Sequence, residues 1–208
     1  MTKREKYITV FDKYVPKVFS PVLADLLLAS NVSFKVVKSR KTKLGDFRMS
    51  QFVKQPIITI NRDLNQYSFL ITSLHEFAHY HTFQKYGNSV LPHGKEWKEA
   101  FRNLLIPVIN SGQLPKDIET ALMSSLVNTK ASSCSDLPLA RTLHRYNNSE
   151  SSEYRLEELP KNATFALNNR FFLKLNKRRT RYECKELSSG KIFLVHALVT
   201  VIKTETDE

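Results

Sequence analysis

The side chains best placed for chemistry are two histidines four residues apart with a glutamate after the first, in the run Leu74-His75-Glu76-Phe77-Ala78-His79-Tyr80. On a helix, positions i and i+4 lie one above the other on the same face. His75 and His79 can therefore aim two imidazoles at one point. That suits zinc, whose bonds to imidazole nitrogen are about 2.0–2.1 Å long. Glu76 stands about 100° round the helix from His75. In an H-E-x-x-H pattern such a carboxylate reaches the metal-bound water rather than the metal, and takes its proton.

A catalytic zinc needs a third protein ligand and a position left open for water. His93, Glu96 and Glu99 are the candidates. His93 lies in Leu91-Pro92-His93-Gly94, where Pro and Gly allow a tight entry into the next helix. Imidazole is also the commonest metal ligand, so His93 is favoured, with the two glutamates left open as carboxylate ligands. His81, His144 and His196 have no ligand spacing to the pair. The expected site is one zinc per chain on His75, His79 and His93, with Glu76 as the general base.

These residues need elements to hold them. Leu70, Ile71, Leu74, Phe77 and Ala78 give the motif apolar flanks, and the pattern predicts a helix from about Tyr67 to Tyr86, stopped by Gly87-Asn88. A second helix is expected over Lys95–Asn110, with Trp97, Phe101, Leu104 and Leu105 on its apolar side, and a third from Pro115 through Val127. Upstream, Tyr7, Ile8, Phe11, Tyr14 and Val15 recur at helical spacing. Ser20-Pro21 reads as an N-cap followed by Pro in the first turn of a helix running to about Ala29. Ser33–Lys38 and Ile57–Ile60 read as strands, and Lys43-Leu44-Gly45-Asp46 as a turn.

The chain has 208 residues, ordinary globular composition and two Cys. That length can bury a core without disulfide staples, and two thiols exclude a disulfide scaffold. The charged start, MTKREKY, with no long apolar run after it, reads as lacking a signal segment, and no stretch is long enough to span a bilayer. The net charge of +12 points to a polyanionic partner. It is concentrated in two places: residues 1–62 hold 13 basic and 4 acidic side chains, and residues 161–191 hold 9 and 2. Between them, residues 128–153 are rich in Ser, Asn and Thr and read as a connection with a short helix at Leu139–Tyr146.

The run His75-Glu-Phe-Ala-His79, thirteen residues, then His93-Gly94-Lys-Glu-Trp-Lys-Glu-Ala-Phe101 resembles the SprT-like (Spartan-related) family of zinc metalloprotease domains. The upstream segment from Arg40 through Gly45 and Phe47 to Asn61 is similar to that family's hairpin and strand. The resemblance covers about residues 5–127. It implies an α+β fold with a minimal zincin-like domain, helices packed on a small antiparallel sheet, with His75, His79 and His93 as zinc ligands and Glu76 as catalytic base. It also implies an activity in which eukaryotic members, switched on by DNA, cleave proteins crosslinked to it. Some bacterial relatives are described as transcription-associated.

The C-terminal part departs from that family's zinc ribbon. Only one knuckle is suggested, at Cys184, with Leu187 where its second Cys would stand, and Cys134 is alone. Two thiols cannot complete a four-ligand site, so no second zinc is expected. The organisation expected is residues 1–130 for the peptidase domain, 131–160 for a linker with a short helix, and 161–208 for a small basic β-rich module. The strands expected there are Thr164–Leu167, Arg170–Leu175, Arg179–Cys184, Lys191–Val195 and Ala197–Ile202. Lys177, Arg178, Arg179 and Arg181 would cluster at a hairpin turn and reach phosphates, with Phe172 offering a surface for a base. A second basic candidate is the set Lys35, Lys38, Arg40, Lys41, Lys43 and Arg48.

Two functional readings follow. One is a zinc metallopeptidase that acts on DNA-bound proteins, contacts single-stranded or opened DNA without sequence preference, has no membrane partner, and works in the bacterial cytoplasm or nucleoid. The other is a non-proteolytic nucleic-acid-binding or transcription-associated protein with a structural or vestigial zinc. An intact Glu76 favours the first, because a structural site has no use for a general base.

Overall fold

The computed structural model describes residues 1–40, 42–49, 55–127, 136–147 and 153–204, and Cys134 and Lys41 lie outside these. The chain forms two compact units, Met1–Asn147 and Asn148–Glu208. The first is built from helices and a sheet and the second from a sheet, which together make an α+β protein.

The first unit is organised round one helix. α1 (Lys3–Phe11) and α2 (Ser20–Leu28) precede β1 (Ser33–Val37), β2 (Gly45–Arg48) and β3 (Ile57–Asn61); then come α3 (Gln66–Tyr86), α4 (Lys95–Asn110), α5 (Lys116–Val127) and α6 (Leu137–His144). α3 starts where the Asn65 side chain accepts a hydrogen bond from the Ser68 N–H at 2.9 Å. It ends at Gly87, whose φ of 58° a Cβ would disfavour. Phe69, Leu70, Ile71, Leu74, Phe77 and Ala78 are all buried, so α3 is apolar nearly all round, as a helix enclosed by its neighbours must be.

The sheet covers one side of α3, in the order β1-β3-β2. β2 runs antiparallel to β3 and β1 parallel to it, so the sheet is mixed rather than wholly antiparallel. Ile58 and Ile60 of the central strand are fully buried. Phe34 of β1 stacks on Phe77 and meets Phe11 edge-on, tying β1 to α3 and α1. The residues expected to form a turn at Lys43–Asp46 instead lead into β2 at Gly45, because Asn61 N–H bonds the Leu44 carbonyl and extends the β3 ladder. The N-cap expected at Ser20 does not form. A 3-10 turn, Lys17–Phe19, already leads into α2, and the Ser20 hydroxyl is buried without a hydrogen-bond partner.

α6 belongs with the first unit. Asp136 caps it, accepting from Leu139 N–H at 3.0 Å, and Leu139 is buried. Asn65 donates to the Leu143 carbonyl, and the Tyr146 hydroxyl donates to Asp117 at 2.7 Å. A Ser/Asn-rich composition concealed these anchors, so the segment read as a linker.

The second unit is a six-stranded antiparallel sheet: β4 (Glu153–Arg155), β5 (Thr164–Leu167), β6 (Arg170–Arg178), β7 (Arg181–Glu186), β8 (Ile192–His196) and β9 (Thr200–Lys203), in the order β4-β9-β5-β6-β7-β8. β4 lies within the stretch read as a linker. Asn168 and Asn169 both take positive φ, the geometry a two-residue hairpin turn demands. One face of the sheet holds a small core of Leu156, Leu159, Phe165, Phe172, Cys184 and Val201.

Phe172 is therefore 3% exposed, while Phe171 is 54% exposed. The stacking role expected of Phe172 is corrected accordingly: it stacks inward on Phe165. The alternation of β6 fits either register, and buried Lys174 conceals the right one. Its ammonium donates to the Glu157 and Leu159 carbonyls and lies 4.1 Å from the centre of the Tyr182 ring. Cys184 points into this core and Leu187 out of it, so the two do not form a knuckle.

Candidate metal centre

Three imidazoles meet at one point. The Nε2 atoms of His75 and His79 are 3.1 Å apart, those of His79 and His93 3.0 Å, and those of His93 and His75 3.1 Å. The corners of such a triangle lie about 1.8 Å from its centre, close to the ~2.0–2.1 Å bond between zinc and nitrogen. A single ion can therefore bond all three, and no rearrangement is needed to assemble the donor set. Among the described residues, this trio is the group of His, Cys, Asp or Glu side chains close enough to share a metal.

Each imidazole arrives by a different device. His75 and His79 come from one face of α3. His93 comes from the turn before α4 with φ at 59°, a left-handed conformation uncommon for a side chain of this kind. Such strain persists where the surroundings over-determine it. Here Gly94 N–H closes the turn onto the Leu91 carbonyl at 2.9 Å, and Trp97 packs against all three rings, with centroids 4.6 Å from His75 and His93 and 5.2 Å from His79. Phe101 stacks behind Trp97. Trp97 reads in the sequence as one more apolar residue of α4. Its place three residues after Gly94 was the available clue that it forms the floor of the site.

Burial keeps the imidazoles neutral, which is the state that binds metal. It pushes His75 down to about 3 and His79 to about 4, with the neighbouring rings adding to the effect, and it lowers His93 as well. Glu76 is shifted the opposite way. Burial first, and then the charge of Asp46, raise its carboxyl to about 8, against a hydrogen bond from the Phe47 backbone N–H and the cations Arg40 and Lys43.

Strand β2 fixes where that carboxyl lies. A Cβ on Gly45 would come within 2.6 Å of Glu76 Oε1, 2.8 Å of its Cγ and 2.7 Å of Thr72 Cγ2. Only a bare backbone fits there. Gly45 is held in turn by the loop before it. Buried Asn61 donates to the Arg40 and Lys43 carbonyls at 3.1 and 2.9 Å, and accepts from Arg40 Nε at 2.9 Å. Lys43 and Arg48 both clasp Asp46. Three of the N-terminal cations expected as a second basic candidate, Arg40, Lys43 and Arg48, are thus engaged in holding β2 beside Glu76. Gly45, Phe47, Asn61 and Trp97 are the site residues that the sequence did not reveal.

The remaining candidates lie elsewhere. Glu96 and Glu99 line a cavity of about 300 Å³ between α3 and α4, together with His81 and Tyr86, rather than joining the three imidazoles. Lys177 and Arg178 end β6, Arg179 occupies the turn with φ at 48°, and Arg181 opens β7; all four are exposed. Arg178 is paired with Glu183 at 2.8 Å and lies directly across the ladder from Arg181. Like charges facing each other cost free energy in the absence of a counter-charge.

Two outcomes are expected. Gly45→Ala will retain zinc at one ion per chain and lose any Glu76-dependent activity, because the atoms nearest the added methyl belong to Glu76 and Thr72 and not to the three imidazoles; His93→Ala will lose the zinc. Metal analysis of both variants beside the parent checks this. In metal-free protein, folding stability will peak near pH 6.5. Folded His75 and His79 bind protons less readily than unfolded ones, so stability rises with pH from about 3 to 6.5. Folded Glu76 keeps its proton up to about 8, whereas the unfolded group releases it near 4.5, so stability falls between pH 6.5 and 8. Urea unfolding followed through Trp97, the single tryptophan, will show that fall in the parent and not in Glu76→Gln.

The sequence model of the SprT-like family matches residues 9–113, about half of the chain, and so takes in the sheet, α3 with the histidine pair, His93 and α4. No curated protein and no solved structure matches the chain. Among the described residues no helix is long and apolar enough to cross a membrane. The chain belongs to the SprT-like family.

Proposed function

We propose that the chain is a zinc-dependent peptidase that hydrolyses proteins associated with DNA. The observation that carries this reading is the pairing of three mutually adjacent neutral imidazoles with a buried carboxyl clamped at Gly45. A site that served only to hold a metal would not need that carboxyl.

His75, His79 and His93 would hold the zinc, whose contribution is Lewis acidity toward a water and a carbonyl oxygen. Glu76 takes a proton from the attacking water at its carboxylate and returns it to the leaving amine. Burial favours the protonated form, and the nearby Arg40 and Lys43 favour the carboxylate, so the group is poised to do both. The Phe47 N–H and the bare backbone at Gly45 keep it in one orientation through the transfer. Trp97 and Phe101 close the floor against water.

The DNA part of the proposal rests on charge. Lys177, Arg179 and Arg181 project from one hairpin end with Arg178 beside them, and Glu183 offsets only the charge of Arg178. With Phe172 buried, contacts to the backbone rather than stacking would dominate, and affinity would depend steeply on salt.

Glu76→Gln keeps size and hydrogen bonding and removes the basic oxygen. It is expected to bind zinc like the parent and to lose cleavage of a DNA-bound, flexible protein substrate. Equal cleavage by both would overturn the peptidase mechanism, and a zinc-loaded parent that binds DNA without cleaving would support the non-proteolytic reading. Separately, reversing Lys177, Arg179 and Arg181 to Glu, which spares the Arg178–Glu183 pair, is expected to weaken binding of single-stranded DNA at least tenfold. It should also lower the slope of log K against log salt by about 2, at roughly 0.7 per lost phosphate contact. Zinc content should not change. Fluorescence anisotropy at several salt concentrations reads both quantities.

A further inference from the structure

The sheet of the second unit has two edges, and they are built differently. At one, β4 is three residues long, with Glu153 and Arg155 at its ends. Shortness and charge are usual means by which a sheet edge avoids pairing with another chain. At the other, β8 reads Ile192-Phe193-Leu194-Val195-His196 and has no Lys, Arg, Asp, Glu or Pro. β7 pairs with one side of it, and no described strand pairs with the other.

The ladder fixes which backbone groups are open. Glu186 N–H bonds the Lys191 carbonyl and Ala197 N–H bonds the Thr180 carbonyl, each at 2.9 Å. Antiparallel pairs alternate, so Ile192, Leu194 and His196, opposite Lys185, Glu183 and Arg181, are the pairs that do not exchange hydrogen bonds. The N–H and C=O groups of Ile192 and Leu194, and the N–H of His196, therefore face away from β7. The same two residues carry exposed apolar side chains, 62% for Ile192 and 55% for Leu194, on the face opposite the core. Phe171, Leu187 and Ile202 are exposed on that face too.

Charge narrows what can sit there. Lys185 and Arg181 lie across from Ile192 and His196, Lys191 precedes the strand, and all three are exposed. Glu183, the acid among them, is already held by Arg178. A second copy of the chain would bring the same cations to the same border. A nucleic acid would neutralise them, but it has no strand to complete the edge and would leave the aliphatic side chains against water. We infer that β8 is a docking edge that takes an extended segment of a partner protein as a seventh strand, apolar at the positions beside Ile192 and Leu194 and acidic at its two ends, within reach of Lys185, Lys191 and Arg181. The backbone ladder supplies affinity, and the side chains on alternate positions supply selection. This inference is independent of the peptidase reading, since no residue of the metal centre takes part.

The test uses the full chain and a fluorescein-labelled peptide with valine at alternate central positions, threonine between them and glutamate at both ends. Saturable binding by anisotropy is expected. Binding should be at least about tenfold weaker for the same peptide with lysine in place of glutamate, and for one N-methylated at alternate positions, which removes backbone donors without altering side chains. Ile192→Glu with Leu194→Glu should weaken binding to a similar degree, with zinc content unchanged. In the parent, the Ile192 and Leu194 amides should exchange rapidly with solvent when free and become protected with peptide. Absence of saturable binding, equal binding of the N-methylated peptide, or slow exchange of those amides in the dilute free chain would each overturn the proposal. A dimer abolished by the double variant would assign the edge to a second copy instead. Loss of single-stranded DNA binding in that variant would assign it to nucleic acid.

Discussion

Three ring nitrogens within 3.1 Å of one another are the constraint to which the rest of the first unit answers. Three imidazolium ions could not occupy such a space, so the rings must be neutral, and neutrality is obtained by burial. Burial in turn requires α3 to be enclosed on nearly all sides. That explains a 21-residue helix apolar round its circumference, with β3 on one flank and α4 on another. It also explains Trp97, the one ring large enough to touch all three histidines at once. The positive φ of His93 is the cost of delivering the third donor from outside the helix.

The carboxyl beside the triad is governed from a different direction. Its helix fixes its height, but β2 fixes its rotamer, through the absence of a side chain at Gly45 and the N–H of Phe47. β2 is an edge strand four residues long, and such a strand holds its place poorly alone. The Asn61 amide and the Lys43–Asp46–Arg48 cluster supply what the short ladder lacks. Cations that composition alone would assign to a polyanion are thus used to shape the loop behind Glu76.

What could be read in the sequence follows from the range of the interactions involved. The histidine pair, α3, α4 and strands β5 to β9 of the second unit rest on period, caps and turns, which are local, and their observed limits fall within a few residues of those expected, whereas β4 falls where a linker is expected. The third imidazole of the cluster is legible because Pro92 and Gly94 mark a tight turn. Gly45 and Asn61 were not, since each matters only through a residue far away in the chain. β2 was read as a turn because its strand character comes from pairing with β3 rather than from its own composition. The two faces of β6 could not be told apart from alternation, because the residue that decides it, Lys174, is a buried charge.

Lys174 also bears on how the second unit holds together. With about sixty residues and a core of six buried side chains, such a module has little apolar area to spend, and small domains commonly compensate with a structural zinc or disulfides. Among the described residues it has one thiol, buried Cys184, whose pKa is pushed up to about 11 by desolvation, and a thiol so held neither ligates nor exchanges readily. In place of a metal, a single ammonium draws two carbonyls of the segment at Glu157–Leu159 onto the sheet and packs on Tyr182. Burial lowers the Lys174 pKa, so the cation is costly to keep. Carbonyl oxygens and an aromatic face are the partners that offset such a cost without introducing a second buried charge. A hydrogen-bonded lysine can thus tie a loop to a sheet as a metal would, but it is insensitive to chelators, so the unit's folding is separable from the metal state of the chain.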